Sequence, residues 1–139
     1  MKARAIWVED RMFVGESGSG HAMVMDGAPD IGGRNAGIRP MEMLLIGLAG
    51  CTAIDVVHIL ERGRVKIMGC TIDVEAERAE TDPKVFTRIH LRYRVTGRAL
   101  PRDKVDRAVQ LSAEKYCSAS IMFAKTAELT HEVEIVEAD

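Results

Sequence analysis

Between residues 40 and 63 the chain becomes apolar on almost every side: PMEMLLIGLAGCTAIDVVHILERG. A proline at the first helical position and a glycine at the far end predict one long helix. A helix apolar nearly all the way round must be covered on most of its surface. On either side of it the period of the pattern drops to two. Residues 2 to 8 read as a strand, Glu9-Asp10 turns the chain, and Met12 to Glu16 form a second strand. Ser17-Gly18-Ser19-Gly20 is turn chemistry leading to a third strand at His21 to Met25, which closes a small antiparallel meander. Asp26 to Arg39 holds four glycines, a proline and an asparagine, so it reads as a loop.

Beyond the helix, Met68, Cys70, Ile72, Val74 and Ala76 alternate with Gly69, Thr71, Asp73, Glu75 and Glu77. After a turn at Thr81-Asp82-Pro83-Lys84, Ile89, Leu91, Tyr93 and Val95 alternate with Arg88, His90, Arg92 and Arg94. The two runs predict a hairpin wet on one side. Acids on one strand and bases on the other are expected to pair across it, each exposed pair worth a few tenths of a kcal/mol.

Pro101 opens a second helix. Its stripe of Val105, Ala108, Val109, Ser112, Ala113 and Tyr116 follows the i, i+3, i+4 spacing. The pattern breaks at Cys117-Ser118, where Ser118 is the expected cap of a short third helix through Lys125. Leu129, His131, Val133 and Ile135 then alternate with acids and threonine as a last strand, with His131 turned inward. The order β-β-β-α-β-β-α-α-β gives one α+β domain over residues 1–139, of antiparallel sheets with helices gathered against them. One small sheet cannot cover so oily a helix, so a C2 homodimer that buries it is the expected assembly.

Composition narrows the function. The 139 residues carry 19 basic and 21 acidic side chains, with no basic run or aromatic-interleaved basic patch, so no nucleic-acid partner is expected. The charged, alternating start MKARAIWVEDR is read as a strand and not as a signal peptide. The apolar run Met43 to Ile54 is shorter than a membrane span, and no membrane partner is expected. Three widely spaced cysteines fit neither a disulfide framework nor a zinc site. A soluble cytoplasmic protein without a cofactor or bound metal is the expectation. The segment GGRNAG lacks the spacing of a phosphate-binding loop.

The chemistry therefore rests on the cysteines. Cys70 alternates inward and reads as a small core residue. Cys117 lies at a junction between helices, where a helix N-terminus lowers a thiol pKa; filling the joint is the equal alternative. Cys51 is too deep in its helix for the macrodipole to act. Asp55 lies roughly 40° round the helix from it and His58 roughly 20° the other way. His58 is about 10 Å along the axis, too far to act as its base. Asp55 alternatively pairs with Arg62 or Arg64 of a neighbouring subunit, and His58 is simply hydrogen-bonded. A metal held by Cys51, Asp55 and His58 is a minor alternative.

Taken together, Pro40 followed by Cys51 in a helix, the segment AEKYCSAS around Cys117, and GESGSGH, PMEM, AGCTAIDVV and VTGR resemble the OsmC/Ohr family, in particular its YhfA-like subgroup. The resemblance covers essentially the whole chain. It implies an intertwined homodimer with long central helices packed inside the sheets. It also implies a cysteine-based thiol peroxidase acting on small organic hydroperoxides, with Cys51 peroxidatic, Cys117 resolving and a dithiol reductant closing the cycle.

Two positions depart from the family pattern. Active members carry an arginine in the glycine-rich N-terminal hairpin and a glutamate directly after the helix-opening proline. Here Gly15 to His21 holds no arginine, and Met41 follows Pro40 with the acid moved to Glu42. Glu42 lies roughly 180° round the helix from Cys51, where a residue at 41 lies roughly 80° away. Glu42, Arg39 and Arg34 are the remaining candidates for tuning the thiolate. A dimer that binds a small apolar or thiol-bearing ligand without peroxidase chemistry is the alternative function. On either reading Met41, Met43 and Met122 are expected to line an apolar pocket.

Overall fold

The computed structural model describes all residues from Met1 to Asp139. It contains two compact units, Met1–Ile46 and Gly47–Asp139, which part within the long helix.

In the first unit, β1 (Ala3–Glu9), β2 (Met12–Ser17) and β3 (Ala22–Met25) form the expected antiparallel meander in that order. Asp10 takes a left-handed φ of 47° at the first turn, a conformation that Asp tolerates better than most residues. The segment read as a plain loop is instead organised by one carboxylate. Asp26 is buried, and its Oδ1 accepts the Gly27 N–H at 2.8 Å. Its Oδ2 accepts the N–H groups of Arg34 and Ala36 at 2.9 and 3.1 Å. The Ala36 and Arg34 bonds hold the Asp26 carboxyl below its usual range, against the opposing effect of burial. Periodicity carries no trace of such a staple, because a loop has no period.

The long helix, α1, runs Pro40–Arg62. At its start Arg39 C=O accepts the Met43 N–H, and the Glu42 carboxylate reaches back to the Arg39 N–H at 2.8 Å. Glu42 thus occupies the acid position of a capping box. At the far end the left-handed residue is Arg64 (φ 58°), one past the expected Gly63. The Val65 N–H closes on Leu60 C=O at 2.9 Å, the six-residue bond of a Schellman motif. Its 23 residues are long and apolar enough to cross a membrane by length and composition, in contrast to the shorter span read from the sequence. Only the i, i+4 stripe Leu48, Thr52, Val56 and Leu60 is buried, while Leu44, Ile46 and Ile54 stay exposed.

In the second unit, β4 (Ile67–Arg78) and β5 (Phe86–Gly97) form the expected antiparallel hairpin. A register shift between Ile67 and Gly69 turns Met68 outward, against the simple alternation. The last strand, β6 (Glu128–Glu137), pairs with β5 in parallel, so the sheet is mixed and not wholly antiparallel. The cause is the connection. Two helices intervene between β5 and β6, and a helical crossover returns the chain in the direction it left. β5 is central, and its Ile89, Leu91, Tyr93 and Val95 form the deepest part of the core, with Val105, Ala108 and Val109 of α2 (Arg102–Leu111) also buried.

The centrality of β5 also redirects the ion pairs. Arg88, Arg92 and Arg94 pair with Glu128, Glu132 and Glu134 of β6, and only Arg94 also reaches Asp73 of β4, at 4.0 Å. His131 is exposed rather than in the core, with its ring edge-on to Tyr93 at 6.0 Å. His90 bonds Thr130 and Glu132 on the solvated face.

Candidate functional site

The site in the second unit begins where α2 loses its register. After Leu111 the backbone widens into a single π turn, Ser112–Tyr116, and Cys117 N–H donates to Ser112 C=O at 2.8 Å. Single π turns inside helices recur at functional sites. Cys117 then adopts an extended conformation (φ −74°, ψ 101°) and caps the short helix α3, Ser118–Phe123. Its Sγ accepts the Ser120 N–H at 3.3 Å. The cap is therefore Cys117 and not Ser118, and α3 ends two residues short of Lys125. The extended backbone required of a cap falls at 117, where the π turn stops.

Cys117 is completely buried, and Cys51, half-buried on α1, is near enough for its thiol to act on that of Cys117. Burial pushes the Cys117 thiol above its ordinary value and the Cys51 thiol adds to the rise, while the N–H and hydroxyl of Ser120 act the other way. Cys70 is half-buried, and burial raises its thiol as well.

Three buried hydroxyls and one carboxylate stand beside the thiols. Thr52 Oγ1 lies 2.7 Å from Tyr93 Oη and 2.7 Å from Ser112 Oγ, and Ser112 donates to Asp55 Oδ2 at 3.1 Å. Hydrogen counting fixes the direction of this chain. A hydroxyl has one proton, and Ser112 gives its own to Asp55. Thr52 must then donate to Ser112, and Tyr93 to Thr52. The order Tyr93→Thr52→Ser112→Asp55 leaves every proton committed, and no buried side-chain polar atom in the chain lacks a partner. Burial keeps the Tyr93 phenol above its usual range, with the nearby Cys117, Cys70 and Asp55 adding to the rise. Asp55 opens into a cleft of about 610 Å³ lined by His58, Ile59, Arg62, Leu111 and Tyr116.

Sequence reasoning passed over Thr52, Tyr93 and Ser112. Their signal was present nonetheless: each is a hydroxyl at a position that the periodicity sends inward. Buried hydroxyls require partners, and three in one small core are each other's nearest candidates. Asp55 takes Ser112 as its partner within the chain. Cys51, Asp55 and His58 do not converge as a set of metal ligands.

The remaining candidates lie as follows. In the first unit Glu42 is engaged in the helix cap, Arg34 pairs with Glu9 and Asp10, and Arg39 bonds Asn35 Oδ1 and the Gly37 carbonyl. Met41 is half-buried. Met43 lines an apolar cleft of about 590 Å³ with Ala5, Met23 and Met25 of the meander. In the second unit Met122 lies on α3, 70% exposed.

The raised thiol and phenol values predict an alkaline limit to stability. The folded state keeps Cys117, Cys70 and Tyr93 protonated to higher pH than the unfolded chain does. Above the ordinary thiol value of 9.0 the unfolded state therefore binds fewer protons, and stability falls as pH rises. Urea midpoints measured at pH 7, 9 and 10 are expected to be level below 9 and to drop above it. A Cys70→Ala, Cys117→Ala protein should show a shallower fall.

The two-unit α+β chain, with its mixed sheet and long apolar helix, has the fold of OsmC-like proteins. The family model described as OsmC-like protein matches residues 32–132, and the chain belongs to that family. It is 48% identical to Protein YhfA of Escherichia coli strain K12, over 99% of this chain and 100% of that protein. Among solved structures it is similar to a hypothetical protein from Aquifex aeolicus VF5, with a TM-score of 0.87 and 26% identity, covering 99% and 97% of the two chains. It also shares its fold with an organic hydroperoxide resistance protein OsmC from Legionella pneumophila, with a TM-score of 0.73 and 18% identity over 96% and 95%.

Proposed function

We propose that the chain is a thiol peroxidase of organic hydroperoxides, acting as a homodimer in the cytoplasm. One observation carries this reading: a half-exposed Cys51 whose neighbour Thr52 bonds Ser112, the residue that also holds the backbone of the fully buried Cys117. The Cys51 thiolate attacks the outer oxygen of a hydroperoxide, the O–O bond breaks, and the alkoxide leaves and takes a proton as alcohol. Cys51 is then a sulfenic acid; the Cys117 thiol attacks its sulfur, the S–O bond breaks, and the hydroxyl leaves with a proton as water, giving the disulfide. A dithiol reductant reopens the disulfide by exchange and becomes a disulfide itself. Membership of a family in which some proteins are described as hydroperoxide resistance proteins supports the same reading. The exposed Leu44, Ile46 and Ile54 of α1 support a second copy as their cover.

A second reading has its own observation. Glu42, Arg34 and Arg39 are all engaged elsewhere, and the cleft beside Met43 is apolar. That combination favours a dimer that binds a small apolar molecule and leaves it unchanged. Treatment with cumene hydroperoxide followed by intact-mass analysis separates the two. The peroxidase reading expects loss of two hydrogens, a Cys51–Cys117 peptide on digestion, and alcohol released in equal amount. Unchanged mass and unconsumed peroxide would overturn it.

A further inference from the structure

Cys51 and Cys117 come from segments far apart in the chain, and one residue, Ser112, bonds both the backbone of Cys117 and the residue next to Cys51. Ser112 Oγ bonds Thr52, the neighbour of Cys51 on α1, at 2.7 Å, and the Ser112 carbonyl holds the Cys117 N–H at 2.8 Å. Its own N–H is held by the carbonyls of Ala108 and Val109, which roots the clamp in α2. Its donation to Asp55 fixes the hydroxyl so that it can only accept from Thr52. We propose that Ser112 and Thr52 are positioning residues that set the separation of the two thiols and so the redox poise of the pair.

The inference rests on the thiol-pair reading, but it concerns the disulfide equilibrium and not peroxide chemistry. A disulfide tolerates only a narrow range of separations and torsion angles, and departures from it make the bond easier to reduce. A short bond one residue from Cys51, tied by a backbone bond to Cys117, controls that separation directly. Thr52 and Ser112 are wholly buried, so no solvent can replace the bond between them. In the disulfide step, the two thiols lose two electrons and two protons to oxidised glutathione, which becomes two glutathione thiols.

The test equilibrates the full chain in glutathione buffers of graded ratio and quantifies the Cys51–Cys117 disulfide by alkylation and mass. Thr52→Val keeps the shape and loses the hydroxyl; it is expected to lower the disulfide equilibrium constant about tenfold, or about 30 mV. Thr52→Ser keeps the hydroxyl and loses a methyl, so it should lower the melting temperature yet stay within about twofold of wild type in redox equilibrium. Ser112→Ala repeats the expected loss from the other side should the valine variant fold poorly. Unchanged equilibria in Thr52→Val and Ser112→Ala overturn the proposal and leave the thiol pair standing. So does a shift in Thr52→Ser as large as in Thr52→Val. A wild-type chain that forms no such disulfide overturns the thiol pair itself, and the clamp with it.

Discussion

Cys51→Ser is expected to consume organic hydroperoxide no faster than buffer, a loss on the order of a thousandfold or more, the scale on which removal of a nucleophile acts. Cys117→Ser should behave differently. Cys117 is completely buried and its thiol is pushed up by that burial, so at neutral pH it is a poor first nucleophile. Attack falls to the more accessible Cys51, and the serine variant should still take one equivalent of peroxide. It then stalls, with Cys51 held as a sulfenic acid that a dimedone-type probe can label. Turnover with a dithiol, probe labelling and intact mass distinguish the two variants. A Cys51→Ser protein that takes one equivalent while Cys117→Ser takes none would exchange the assigned roles. In the wild type, resolution should quicken as pH rises toward the raised Cys117 value, because the thiolate fraction grows in that direction.

Tyr93→Ala is expected to lower stability by about 3–5 kcal/mol, the range for emptying a buried aromatic site. Tyr93 is 1% exposed on the central strand, so β4 and β6 cannot close over the gap without moving the whole sheet. Tyr93→Phe isolates the hydroxyl. The phenol donates to Thr52, and its loss leaves that buried oxygen one hydrogen bond short, at a cost of about 1–1.5 kcal/mol. The Thr52–Ser112 bond survives this change. Tyr93→Phe should therefore leave the Cys51–Cys117 equilibrium near that of wild type while the denaturation midpoint falls. Chemical denaturation of the three proteins, read at constant m-value, checks the ranking. A phenylalanine variant as unstable as the alanine one would mean that the hydroxyl chain, and not the packing of the ring, dominates.

The elements were largely legible in the chain because each has a period. The meander, the α1 helix, the hairpin and the α2 helix all repeat at two or 3.6 residues, and burial of one face is a local property of such repeats. The sequence alone also placed Cys51 deep within the long helix and Cys117 at a break between helices, and its motifs pointed to the family to which the chain belongs. Partnership is not periodic. The parallel pairing of β6, the preference of the β5 arginines for β6 acids, and the outward His131 follow from which strand became central. The Asp26 staple and the Glu42 cap depend on where backbone N–H groups happen to point. Thr52, Tyr93 and Ser112 each appeared as an ordinary polar residue in an apolar stripe. Only the tertiary structure joined them, because a hydrogen bond requires atoms about 3 Å apart and nothing in the linear pattern specifies distances between α1, β5 and the π turn.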